Sequence, residues 1–154
     1  MSKHPQPFTE IRNKKAFHEF FVEETFEAGI VLLGTEVKAI REGRAQIKEA
    51  FVRFEKNRPY LFNAYIEEYS FGNVNNHDPK RSRALLLKKR EIQKLRAAME
   101  VGGRAVLPIK LYLKSGLLKL EIAICKGKKL FDKREALKTK DALKEAQRAL
   151  FRRT

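Results

Sequence analysis

The 154-residue chain has no tryptophan, one cysteine and three histidines. Each scarcity excludes something. A lone Cys125 cannot form an internal disulfide, which suits a reducing compartment. Its place at the end of an apolar run marks it as a small buried side chain. His4, His18 and His77 fall in separate parts of the chain, so neither a metal site nor a cysteine–histidine pair has supporting spacing. Long apolar runs are missing as well: AGIVLL (Ala28–Leu33) and ALLL (Ala84–Leu87) fall far short of the roughly 20 residues a membrane-spanning helix needs. The opening MSKHPQPFTE has no apolar stretch of the secretory-leader kind. An intracellular, cytoplasmic chain with no membrane partner is expected. Neither GxxxxGK[ST] nor GxGxxG occurs. The adjacent carboxylates Glu23-Glu24 and Glu67-Glu68 project to opposite faces of a strand, a poor geometry for acid–base work. No catalytic constellation assembles, so an enzyme, a metal or a cofactor is not expected.

What is present is positive charge. Lys and Arg number 34 against 19 Asp and Glu, a formal net charge of +15, and that imbalance implies a polyanionic partner. It is concentrated in two places. His77–Arg96 holds eight basic and two acidic residues, and Lys126–Thr154 holds eleven and four, so the other 105 residues carry only +2. The first stretch presents Lys80, Arg81 and Arg83 in quick succession ahead of Leu85–Leu87, an arrangement in which loop cations reach phosphate while at least two of the leucines enter the core.

Periodicity divides the chain into a flexible lead-in (1–15), a folded body (16–125) and a basic tail (126–154). From Ala16 to Leu33 the β-favouring residues predict a long strand with a bulge at Gly29 and a break at Gly34. Thr35–Gly43 reads as a short helix capped by Thr35 and closed by Gly43. Strands are predicted at Ala50–Glu55 and Tyr60–Ile66 around the turn KNRP, then a loop over Tyr69–Arg83. Ile92, Leu95 and Met99 share one face of a helix over Lys88–Val101, ended by Gly102-Gly103. The strongest local signal is a hairpin: alternation runs through 105, 107, 109, 111 and 113, then 118, 120, 122 and 124, around a Ser115-Gly116 turn. Asp132 and Glu135 mark the start of a tail helix with a thin apolar stripe, expected to be disordered when free and helical when bound. With no βαβ rhythm, this predicts a mainly β fold with helices: a small antiparallel β-barrel with inserted short helices and a basic C-terminal tail. A structural ribosome-associated RNA-binding protein is an alternative reading of the same charge pattern.

Four motifs carry a more specific resemblance. NKKAFHEFFVEETFEAGIVL (13–32), GTEVKAIREGRA (34–45), NHDPKRSRALLLKKREI (76–92) and KGKKLFDKR (126–134) resemble the SmpB family, the tmRNA-binding proteins of bacterial trans-translation. The resemblance implies an oligonucleotide-binding (OB)-type antiparallel β-barrel with inserted short helices that grips the tRNA-like domain of tmRNA (SsrA RNA) and brings it to ribosomes stalled without a codon, for ribosome rescue and tagging of the nascent chain. Elongation factor Tu with GTP and alanyl-tRNA synthetase are implied as indirect partners, the ribosome (its decoding-centre rRNA and mRNA path) as a direct one, and a monomer as the state. By position it implies that Glu27, Asp78, Arg81, Arg83, Leu86 and Lys88 contact or shape the tmRNA site. Lys80 joins them from the basic loop. Lys38 and Arg41 join them from the helix motif that also holds Gly34, Glu36 and Gly43. Lys126, Lys128, Lys129, Phe131, Asp132, Lys133 and Arg134 form the ribosome-facing tail. Phe131 stands where the family carries Tyr or His, keeping a plane for stacking and losing a polar atom. Ala84 stands where Lys is frequent, removing a charge from a phosphate contact.

Overall fold

The hairpin predicted with most support forms the centre of the molecule. In the computed structural model, which describes residues 10–69 and 76–128, β8 (Arg104–Lys114) and β9 (Leu117–Gly127) pair antiparallel across Ser115 and Gly116. Both turn residues have positive φ, +53° and +81°, as a two-residue turn with the twist of the strands requires. One detail differs from simple alternation. A bulge between Pro108 and Lys110 shifts the register, so Val106 and Leu111 face the main core while Leu107 and Ile109 face a smaller cluster with Ala16, Ala123 and Cys125. The single face expected for 105–113 is therefore divided at Ile109.

Around this hairpin runs a seven-stranded antiparallel sheet in the order β1-β8-β9-β2-β7-β5-β4, formed by β1 (Glu10–Arg12), β2 (Phe20–Ile30), β4 (Phe51–Glu55), β5 (Arg58–Phe62) and β7 (Arg83–Leu86) with the hairpin strands. β3 (Ala45–Gln46) and β6 (Tyr65–Ile66) make a separate two-stranded sheet. The sheet curls until β4 lies against β8, but no hydrogen-bonded ladder joins them, so it is not closed into the expected barrel. The reason lies on the edge of β8. β1 already pairs there from Lys110 to Tyr112, Asn13 donates its backbone N–H to the Ile109 carbonyl at 2.9 Å, and Pro108 has no N–H to offer.

Asn13 also accounts for the first misread segment. Its side-chain oxygen accepts from the Ala16 N–H at 3.1 Å and caps α1 (Lys14–Glu19), while its amide donates to the Pro108 and Ile47 carbonyls at 2.8 and 3.3 Å. Residues 10–15 are thus not a flexible lead-in, and 16–19, including His18, are helix rather than strand. Local capping outweighs the β-favouring run of Phe residues. The bulge in β2 lies between Val22 and Glu24, not at Gly29, which pairs regularly with Lys119 and Leu86. Gly29 serves close approach instead: a Cβ there would meet the Leu86 Cβ at 3.2 Å.

α2 (Gly34–Arg41) begins at Leu33, not Thr35, because the Glu36 carboxylate reaches back to the Leu33 N–H at 2.8 Å. Gly43, at φ +77°, follows its C-terminus. The β4–β5 turn is Lys56-Asn57, both at positive φ, and Pro59 is already inside β5 opposite Phe54. Asn63, at φ +66°, divides the expected Tyr60–Ile66 strand into β5 and β6. α3 (Lys89–Val101) lays Leu95 into the core with Ile92 and Met99 half-buried beside it. Ile40, Leu61, Leu95, Leu120 and Ile122 are essentially inaccessible, each worth about 1.5–3 kcal/mol of transfer free energy. Cys125 is buried in the smaller cluster, its thiol pushed up to about 11 by burial, with its hydrogen toward the Ala123 carbonyl.

Candidate nucleic-acid interface

The basic stretch that sequence presents as one run is sorted by the fold into an inward and an outward part. Strand alternation along β7 does the sorting: Arg83 and Leu85 point in, Leu86 points out.

The inward part is an ion cluster built on Glu36. This α2 carboxylate is completely buried and accepts from Arg81 at 2.6 Å and from Arg83 at 2.7 and 2.9 Å, besides the Leu33 N–H. Burial acts to raise its pKa, but hydrogen bonds from Arg81, the Leu33 N–H and Arg83 outweigh it and hold the carboxyl below its ordinary range. Arg83, also completely buried, spends its remaining donors on the carbonyls of Ala64 at 2.8 Å and Pro79 at 3.2 Å. Arg83 is therefore engaged inside the fold rather than presented at the surface. Arg81 is one-third exposed but pointed at the same acid. Beside the cluster, buried His77 sits between the Thr35 hydroxyl at 2.8 Å and the Ile66 carbonyl at 2.9 Å, so the loop is clamped to α2 and β6. Asp78 accepts from the Lys80 N–H at 3.0 Å, a local turn contact.

The outward part is a groove where β2, β7 and β9 meet the start of α3. A cavity of about 400 Å³ is lined by Glu27, Gly29, Leu86, Leu87, Lys88 and Lys119, together with Glu91. Leu86 is 62% exposed beside it, a large apolar side chain left in water between cations, while Leu85 and Leu87 pack toward the core. A second cavity of about 310 Å³ continues from Lys88 and Glu91 to Arg90, Lys94, Glu24, Thr25 and Phe26. Lys88 precedes α3, its backbone N–H donating to Glu91 at 2.9 Å. Glu27 accepts from the Tyr112 hydroxyl at 2.8 Å and Lys114 at 3.0 Å, and these bonds lower its pKa. Burial and the Glu27 contact push the Tyr112 phenol up. An ionised carboxylate at a basic, apolar-floored groove can accept from a base amino group or a ribose 2′-hydroxyl, and lysines placed as Lys88 and Lys119 are can neutralise phosphate.

The predicted residues do not all meet. Glu27, Leu86 and Lys88 share the groove; Asp78, Arg81 and Arg83 belong to the Glu36 side. Exposed Lys38 lies on α2 over the Tyr69 ring at 5.4 Å, and Arg41 is exposed on the same helix. Lys80 lines a different cavity, of about 410 Å³, with Gln46, Lys48, Glu49, Asn63 and Tyr65. Of the tail residues, Lys126 and Lys128 are described; Lys128 donates to the Phe17 carbonyl at 3.1 Å and sits 5.3 Å from the Phe21 ring centroid. Lys129, Phe131, Asp132, Lys133, Arg134 and the expected tail helix lie outside the described residues. Among the described residues there is no cluster of three potential metal ligands and no helix long and apolar enough to cross a membrane.

The chain is similar to proteins of known kind. The family model described as SmpB protein matches residues 10–152. The chain belongs to the SmpB family. It is 51% identical over 138 residues to the SsrA-binding protein of Geobacter sulfurreducens, covering 90% of each chain. It is 51% identical over 137 residues to that of Thermoanaerobacter pseudethanolicus, covering 89% of this chain and 88% of the relative. A solved structure described as "tmRNA-SmpB: a journey to the center of the bacterial ribosome" superposes with a TM-score of 0.67 at 38% identity, over 91% of this chain and 95% of that one. Within this SmpB-family chain, sequence alone does not single out Lys119, which lines the groove, or Tyr112 and Lys114, which hold Glu27 beside it. The signal was available: they occupy the polar positions of the hairpin strands, alternating with the core positions. In sequence Glu36 is only one residue of a motif, because nothing local reveals that two arginines 45 and 47 residues away will converge on it.

Proposed function

We propose that the chain binds tmRNA through its folded body and delivers it to stalled ribosomes for trans-translation, doing no chemistry itself. The observation that carries this reading is the groove of Glu27, Leu86, Lys88 and Lys119, in a chain whose family relatives are SsrA-binding proteins. An exposed leucine offers a base or ribose an apolar seat, flanking lysines take phosphates, and Glu27 supplies directional acceptance that a purely electrostatic surface lacks. Lys38, Arg41 and Lys80 extend the positive field, while Asp78, Arg81 and Arg83 hold the loop in place. The body works as an open relative of the OB fold. The basic residues from Lys126 onward address ribosomal RNA at the decoding centre and mRNA path. The protein acts as a cytoplasmic monomer, with elongation factor Tu and alanyl-tRNA synthetase met through the RNA.

Gel-shift titration of the full chain with tmRNA against an unrelated tRNA tests the reading: tight binding of tmRNA alone is expected, and equal affinity for both overturns it. A chain ended after Arg134 is expected to bind tmRNA like the whole protein yet fail to tag stalled nascent chains; loss of tmRNA affinity on that truncation overturns the division of labour.

A further inference from the structure

The β4–β5 hairpin has an unusual outer face. Register places Phe51 opposite Phe62, Arg53 opposite Tyr60 and Glu55 opposite Arg58, while the alternate pairs Val52–Leu61 and Phe54–Pro59 turn toward the core, with Val52, Leu61 and Pro59 buried. Strand faces directed at water are ordinarily polar, yet this one carries three half-buried rings. Phe51 and Phe62 are stacked, with centroids 5.8 Å apart and planes 19° from parallel, and Tyr60 is tilted against Phe62 at 6.3 Å. The Arg53 guanidinium lies 5.0 Å from the Phe51 centroid. Among the described residues Arg53, Lys56 and Arg58 form no ion pair, and Glu55 is the one acid on this face.

The face is continuous with the groove. β5 pairs β7 with Tyr60 opposite Ala84, and β7 pairs β2 with Leu86 opposite Gly29. Two-residue periodicity therefore sets Tyr60, Ala84 and Leu86 on one outer surface, Tyr60 and Leu86 about 8 Å apart by strand geometry. Ala84 puts no bulky side chain between them, and exposed Val31, whose N–H bonds the Ala84 carbonyl at 2.9 Å, borders the path.

We propose that the outer face of the β4–β5 hairpin is a second RNA-contact surface, on which unpaired nucleotides of the RNA seated at Leu86 stack against Phe51, Tyr60 and Phe62 while Arg53 and Arg58 take phosphate. This rests on the tmRNA reading of the groove. The chemistry selects the occupant. Every base has a π-face, so a ring array accepts unstacked nucleotides without sequence preference, and exposed cations beside the rings match the backbone charge. A lipid surface would find half-buried rings and too little apolar area. Arg53 is an exposed, weakly held cover on Phe51 that a base displaces, or on whose guanidinium plane it stacks.

The absence of tryptophan makes the test direct. In the full-length Phe51→Trp protein, whose only indole then lies on this face, saturating tmRNA is expected to quench tryptophan emission and protect it from acrylamide. The Phe51→Leu/Tyr60→Leu double variant, with an unfolding midpoint close to wild type, is expected to bind tmRNA about 10-fold more weakly. Emission that does not change at a tmRNA concentration where a gel shift shows full complex overturns the proposal. If no tmRNA complex forms at all, the groove reading fails instead. A 12-nucleotide oligoadenylate titrated into the Phe51→Trp protein then decides this face separately, quenching supporting it and its absence overturning it. Quenching by phosphatidylglycerol vesicles but by neither RNA also overturns it.

Discussion

Arg83 and Leu86 stand three residues apart on one strand and do opposite things. The charged residue is completely buried and the apolar one is 62% exposed, the reverse of what hydrophobicity alone assigns. The difference is explained by partners. Arg83 can leave water because the Glu36 carboxylate and the backbone carbonyls of Ala64, Asp78 and Pro79 satisfy its guanidinium. Leu86 stays in water with its Cβ against Gly29, at the mouth of a groove lined by Glu27, Lys88 and Lys119. Within one basic stretch, some cations are therefore scaffold and others are surface, and residue type does not say which.

The largest expected effect breaks the scaffold side. Glu36→Gln removes the charge that compensates buried Arg83, and about 3–5 kcal/mol of stability is expected to go with it, read from urea unfolding. Lowering pH does the same reversibly. The folded-state pKa of Glu36 is depressed, so its contribution is fully present above the unfolded carboxylate value of about 4.3 and is lost as pH falls through the folded value. Stability of the wild type should therefore fall below about pH 4, and the Glu36→Gln variant should show a shallower acid dependence there.

On the surface side the expected signs are exchanged. Leu86→Ala should leave unfolding within about 0.5 kcal/mol of wild type while weakening tmRNA binding about 10-fold, as a gel-shift titration can read. Gly29→Ala sharpens the same point. Its new Cβ would meet the Leu86 Cβ at 3.2 Å, an atom that moves only with the β7 backbone, so a loss of tmRNA affinity of a few-fold with a modest loss of stability is expected. The smallest effect concerns Cys125: with its pKa raised by burial, the folded protein should not react with a thiol reagent at pH 8 until it unfolds.

The sequence was most legible where signals are local. The Ser115-Gly116 turn, the α3 face of Ile92, Leu95 and Met99, and the outward position of one leucine in three follow from short-range periodicity and turn chemistry. What was illegible depends on chain segments far apart. Asn13 as a cap is a local cue, but its bonds to Pro108 and Ile47, which hold the first helix in place, are not. The open sheet follows from β1 occupying an edge of β8 nearly 100 residues away. In the groove, Glu27, Leu86 and Lys88 were legible through family resemblance, whereas Lys119 comes from a strand that sequence marked only as half of a hairpin. The inward fate of Arg81 and Arg83 required Glu36 to be seen in space.

Equilibrium binding of tmRNA to Leu86→Asp, with Glu27→Gln and Arg81→Ala titrated beside it at one salt concentration, tests most directly where the RNA sits. Leu86→Asp, which places a carboxylate in the groove where phosphate is to lie, should lose at least about 100-fold in affinity with an unchanged unfolding midpoint. Glu27→Gln should lose a few-fold, and Arg81→Ala should lose affinity only in proportion to its loss of stability. Wild-type affinity in Leu86→Asp, with the RNA contact abolished in a folded Arg81→Ala instead, would contradict the assignment of the groove.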